Sequence, residues 1–158
     1  MRIISLDDLD AMKGQELGVS TWYEVDQRRV DAFAVATEDE QWIHTDPERA
    51  TAGMYGGTIA HGYLILSLLP RLTNDAYRIT GVGTRVNYGL DRVRFPAPLR
   101  TGSRVRLRAE LVSGEQMAAG LRIAVRNTVQ IEQRERPACV AETLTLLLPE
   151  SSAERENA

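Results

Sequence analysis

The apolar positions of this chain follow a helical period in its first half and an alternating one in its second. VSTWYEV, Val19 to Val25, is rich in β-branched and aromatic residues and reads as a strand. A short amphipathic piece lies before it, ahead of Gly14. Asp26 then offers a helix N-cap, and Val30, Phe33, Ala34 and Thr37 follow at i, i+3, i+4 and i+7, which predicts an amphipathic helix. Asp46 followed by Pro47 repeats the start signal, so PERATA is expected to be a short second helix, stopped by Gly56-Gly57. From Ile59 to Leu69 the sequence IAHGYLILSLL is apolar on nearly every face, the signature of a buried central helix. Pro70, which removes a donor and clashes with the preceding turn, should kink or interrupt it.

After Gly81 the period becomes two. In SRVRLRAELV the residues Val105, Leu107, Ala109 and Leu111 alternate with Arg104, Arg106, Arg108 and Glu110. Leu121, Ile123, Val125, Val129 and Ile131 continue the pattern after SGEQMAAG, read as the turn, and Val140 to Leu148 suggests a last strand. The expected fold class is α+β: helices gathered early, then about four long antiparallel strands with one wet face, plus the early strand. Residues 1–150 are expected to form one domain, with 151–158, SSAERENA, as a disordered tail.

Composition narrows the function classes. The 158 residues are 43% hydrophobic, enough for a core, and carry a formal charge of −3, with a pI near 5.5. A mildly acidic surface argues against nucleic acid as a partner, leaving small molecules or proteins. The lone Cys139 excludes an internal disulfide and falls in a strand, where it reads as a buried structural thiol. The N-terminus has acids where a signal peptide would be apolar, and no stretch suits a membrane span, so a cytoplasmic location is expected.

Candidate chemistry concentrates in TEDEQWIHTDPERA, Thr37 to Ala50, which holds one of only two histidines. A loop leaving the first helix could bend Asp39 and His44 toward one point, a pairing suited to acid/base work on a single water. Alone this is a weak signal, and the histidine spacing lacks the pattern of a zinc site, so no metal is expected. Gly62 falls in the first turn of the buried helix, where an unpaired N–H could stabilise an oxyanion or where the glycine could simply permit close packing. His61 reads as a structural residue of the helix start and Ser67 as core-facing, and Arg85, Arg92 and Arg94 read as a solvated face rather than a phosphate site.

Two segments, FAVATEDEQWIHTDPERA and YGGTIAHGYLILSL, together resemble the MaoC-like (R)-specific enoyl-CoA hydratases of the hot-dog fold. That family pattern runs Asp, any residue, Asn, two residues, His, then after a fixed gap AHG or PHG. NYGLDRVRFPAPLRTGSRV, Asn87 to Val105, also looks like the family's strand and turn, so the likeness covers nearly the whole chain. The resemblance implies a helix wrapped by a curved antiparallel sheet, and hydration of a trans-2-enoyl thioester to the (R)-3-hydroxyacyl thioester, with dehydration in reverse. It further implies that Asp39 takes a proton from water, that His44 helps return one to C2, and that the Gly62 N–H binds the thioester oxygen. Gln41 takes the place of the family asparagine as an amide support, Trp42 that of its proline, and Glu38 that of a usual glycine. A homodimer is implied, with coenzyme A or a carrier protein presenting the substrate and no cofactor. A hot-dog thioesterase and a non-catalytic acyl-binding subunit are the alternatives.

Overall fold

In the computed structural model, which describes residues 1–149, the wet-faced alternation becomes the long strands of one antiparallel sheet. Strands β1 (Arg2–Ser5), β2 (Glu16–Val19) and β3 (Tyr23–Glu24) come first, followed by helices α1 (Gln27–Thr37), α2 (Trp42–Thr45) and α3 (Pro47–Thr51). Helices α4 (Gly62–Ser67) and α5 (Leu69–Ala76) lead into β4 (Tyr77–Thr80), β5 (Thr84–Arg94), β6 (Arg104–Met117), β7 (Gly120–Ile131) and β8 (Cys139–Leu148). The main sheet has the order β2-β6-β7-β8-β5, with β3 also on β6, while β1 pairs in parallel with β4. The sheet curves around the α4–α5 helix, the hot-dog arrangement.

Side-chain alternation decides which face of the sheet is which. Val105, Leu107, Ala109 and Leu111 are buried and join Ile123, Val125 and Leu147 against Leu64, Ile65, Leu68 and Leu72 of the helix. Each fully buried leucine contributes roughly 1.5–3 kcal/mol of transfer free energy. On the opposite face Arg104 pairs with Glu132 and Arg126 with Glu110, each at 3.1 Å, and Arg108 with Glu16 at 2.6 Å. These cross-strand pairs occupy the arginines of the wet face. Cys139 is buried, and burial pushes its thiol up to about 11, so it stays a protonated core residue as expected.

Several elements depart from the sequence pattern. The early strand is split into β2 and β3, because at Ser20 the side-chain hydroxyl accepts the Leu107 N–H at 2.9 Å in place of a main-chain partner. The hairpin turn is only Ala118–Ala119, since β6 runs on to Met117, with a bulge between Leu111 and Ser113. The central helix starts at Gly62, after Ala60 has bonded to the Leu99 carbonyl. Pro70 interrupts it: having no N–H for the Leu66 carbonyl, it leaves Leu68 to close a turn onto Leu64 at 3.0 Å before α5 begins. Nor is the helix covered all round, for Tyr63 is 70% exposed while Leu64 and Ile65 are buried. The segment before Gly14 contains β1, whose parallel pairing with β4 no periodicity signalled. The 151–158 tail lies outside the described residues.

Candidate active site

Helix α1 ends because Glu38 adopts a left-handed conformation, φ 59° and ψ 21°, which turns the chain out of the helix toward Asp39. For a residue with a Cβ this conformation costs about 1–2 kcal/mol, which explains the glycine usual at this position in the hydratase pattern. The Glu38 side chain is exposed, so it does not enter the cleft beside Asp39. Glu38→Gly is expected to raise the thermal unfolding midpoint by about 1–4 °C and leave turnover unchanged. A lowered midpoint would show that the Glu38 side chain contributes something its exposed position conceals.

His44 sits on α2, a single turn where the sequence reading expected an open loop. Three contacts hold that turn. The His44 N–H donates to the Gln41 carbonyl at 2.9 Å, and Gln27 of α1 donates its side-chain amide to the His44 carbonyl at 2.7 Å. Thr58 donates to the same Gln27 side chain at 2.6 Å. Trp42 is packed under the Arg49 guanidinium, 4.4 Å from the ring centre, while Asp46 caps α3 through the Arg49 N–H at 3.0 Å.

The imidazole of His44 is buried, and its Nδ1 lies 2.7 Å from the Ile59 carbonyl oxygen. A carbonyl can only accept, so Nδ1 bears the proton and neutral His44 presents a lone pair on Nε2. Burial is the largest influence on this group and lowers its pKa below 6.5; the Ile59 bond opposes that, nearby His61 adds to it, and Asp39 opposes it. His44 is therefore the free base at neutral pH.

The structure brings His61 into the same place. Its ring stacks on His44, centroids 3.7 Å apart and planes 24° from parallel, and the tilted Phe33 ring is centred 5.1 Å from it. A carboxylate oxygen of Asp39 and ring nitrogens of both histidines lie within 4.8 Å of one another. That gap suits one water at about 2.8 Å from each of two groups. A shared metal suits it less well, because near-parallel imidazoles direct their in-plane lone pairs along similar directions rather than onto one point.

Asp39 is half-exposed, and Gln41 reaches its Oδ1 at 3.4 Å, a long contact from an exposed amide. Gly62 heads α4, and a Cβ there would meet the Phe95 ring at 2.9 Å, so close packing is one firm reason for this glycine. Its partner is Phe95 rather than the sheet. Its amide is the first of the helix, among those with no intrahelical acceptor. Ser67 donates to the Tyr63 carbonyl at 2.7 Å and is exposed rather than core-facing. Arg85 and Arg94 are exposed and donate to main-chain carbonyls, and Arg92 is exposed on β5. Sequence reasoning missed the stack of His61 on His44 and the supporting role of Gln27. The only available signal was that His61 directly precedes Gly62.

Residues 8–133 match the MaoC like domain family. The chain is 50% identical over 141 residues to the 3-hydroxyacyl-thioester dehydratase Z of Mycobacterium tuberculosis, covering 89% of this chain and 93% of that protein. It is 45% identical over 150 residues to Nodulation protein N of Rhizobium leguminosarum bv. viciae, covering 93% of each. Among solved structures it resembles the R-hydratase PhaJ1 of Pseudomonas aeruginosa with a TM-score of 0.70 at 20% identity, over 87% of this chain and 83% of that one. With the fold, the Asp39–His44 spacing and the AHG helix start all in place, the chain belongs to the MaoC-like dehydratase family and is a hydro-lyase.

Proposed function

We propose that this protein catalyses reversible addition of water to a trans-2-enoyl thioester, giving the (R)-3-hydroxyacyl thioester, without a cofactor. The observation that carries the reading is the convergence of the Asp39 carboxylate and the His44 imidazole within 4.8 Å. The dehydration for which the mycobacterial relative is named is the same reaction in reverse.

In hydration the Asp39 carboxylate orients one water, which also donates a hydrogen bond to His44 Nε2. The water oxygen bonds to C3 and the C2–C3 π electrons move onto the thioester oxygen, where the Gly62 N–H offsets the developing charge. Neutral His44 has no proton on Nε2, so it first collects one from the water and then returns it to C2. Asp39 stabilises the transient imidazolium. The proton thus reaches C2 by way of His44, a closer assignment than the one the resemblance alone implies. Gln41 steadies the carboxylate.

A cavity of about 560 Å³ lies between the outer side of α4–α5 and strands β5, β7 and β8, lined by residues including Leu66, Leu69, Tyr88 and Leu90. Its volume falls within the roughly 300–1,000 Å³ of small-ligand pockets, and we assign it to the acyl chain. Strand β5 ends the sheet and exposes Val86, Tyr88 and Leu90 beside it. An unpaired apolar edge of this kind is a template for a second copy, so the working form is taken to be a homodimer. No helix among the described residues is long and apolar enough to cross a membrane.

Incubation with crotonyl-CoA tests the reaction class. Loss of enoyl absorbance without release of free thiol is expected; release of free thiol would mean a thioesterase, and saturable binding without turnover a non-catalytic subunit. The pH dependence follows from His44. Because burial holds its pKa below 6.5, the hydration kcat/KM should be flat through neutral pH and fall only on the acid side of 6.5. An acid limb centred above 6.5 would contradict the buried free-base assignment.

A further inference from the structure

His61 touches every part of the site just described. Its Nε2 lies 2.9 Å from the main-chain oxygen of Asp39 and 4.0 Å from that residue's carboxylate, its ring lies against His44, and it is joined by a peptide bond to Gly62. Among the described residues, the Asp39 main chain makes one hydrogen bond, and His61 provides it. Asp39 stands in a turn between α1 and α2, outside both helices, so no secondary-structure ladder fixes its carbonyl.

We propose that His61 is a positioning residue, bearing a proton on Nε2, that pins the Asp39 turn and sets the plane of the His44 ring. The assignment rests on the reading of Asp39 and His44 given above. Since the Asp39 carbonyl can only accept, Nε2 must carry the proton. Nδ1 is then a lone pair, and it is buried without a partner in a side chain only 2% exposed. A buried acceptor left unsatisfied costs about 1–3 kcal/mol. A phenylalanine or leucine would fill the same space without that cost. Packing alone therefore does not account for an imidazole here; the Nε2–H bond to Asp39 does.

The stack adds a second constraint. A proton on Nδ1 would be buried with no acceptor and would place a positive charge 3.7 Å from the ring through which the reacting proton passes.

The test uses two variants and one spectrum. His61→Gln keeps an N–H donor near the Nε2 position but loses the ring, while His61→Phe keeps the ring and loses the donor. His61→Phe is expected to lower kcat by about 10–100-fold with KM within about twofold, and His61→Gln to recover most of that loss. That split between kcat and KM, and its rescue by glutamine, are changes that a merely space-filling residue would not cause. Since the chain has two histidines, the imidazole nitrogens of the isotope-labelled unmodified protein can be assigned by NMR even if a variant fails to fold. At neutral pH, His44 should be protonated on Nδ1 and His61 on Nε2. Full turnover by His61→Phe, no recovery in a folded His61→Gln, or a proton on His61 Nδ1 would each overturn the assignment. A fully active Asp39→Asn would instead defeat the underlying reading, while leaving the observed tautomer as it stands.

Discussion

Asp39→Asn and His44→Gln are each expected to lower hydration turnover by about a hundred- to ten-thousand-fold, with KM nearly unchanged. Both residues are assigned to the water and its proton rather than to the thioester, so their effects should fall on the chemical step. The two substitutions differ in what else they disturb. Asp39 is half-exposed, and its carboxylate has only the long Gln41 hydrogen bond and the His61 Nε2 at 4.0 Å, so asparagine should leave stability nearly untouched. His44 is buried, with Nδ1 bonded to Ile59 and its ring against His61, and glutamine gives up that stack. Because both groups act on the same water, the double variant should be little worse than the worse single one. Steady-state kinetics on crotonyl-CoA with a thermal unfolding control separates these effects, and a variant turning over at the unmodified rate would remove its residue from the mechanism.

The second large effect concerns the amide at the head of α4. Gly62 serves two purposes in this account: it makes room for Phe95 and it offers an N–H to the thioester oxygen. Substitution at Gly62 alone confounds them, since a Cβ would press on the Phe95 ring at 2.9 Å. In a Phe95→Ala background the crowding is relieved, and Gly62→Ala then retains the amide while Gly62→Pro removes it. Proline suits this place in other respects. Gly62 is the first residue of the helix, and His61 before it has φ −59° and ψ 139°, the extended conformation proline requires of its predecessor. The proline double variant is expected to be about 100–1,000-fold slower than the alanine one at comparable stability. Equal rates in the two would take the oxyanion role away from Gly62 and leave it a packing residue.

How far these features can be read from the sequence depends on whether each creates a local contrast. Strands β6 and β7 stand out because every second side chain enters the core while its neighbours face water, as Leu107 does between Arg106 and Arg108. Strand β5 creates no such contrast, since nearly all of its residues are exposed at the sheet edge, and only the family resemblance suggested it. The apolar run through α4 was expected to be covered on every side. In the single chain one side is open at Tyr63 and Ser67. Helix α2 is four residues long, too short for any period to register.

The site shows the same division. Asp39, His44 and Gly62 were legible because their types and separations match a pattern whose two halves lie at a fixed distance. Glu38 was legible as a departure from that pattern, but its harmlessness depends on a left-handed backbone and an exposed side chain, which arise only in the folded chain. His61 was read as structural. Its stack on His44 and its bond to Asp39 arise from α2 and the turn after α1 folding onto the start of α4, contacts between segments far apart in the chain.

Hydration of crotonyl-CoA in heavy-oxygen water tests the central claim most directly, with mass analysis of the intact thioester and of any free acid. The account predicts an intact 3-hydroxybutyryl thioester of (R) configuration carrying the label on its C3 hydroxyl, formed by the unmodified protein and almost absent with Asp39→Asn. Label in a free carboxylate, or an unlabelled and unchanged enoyl thioester, would contradict it.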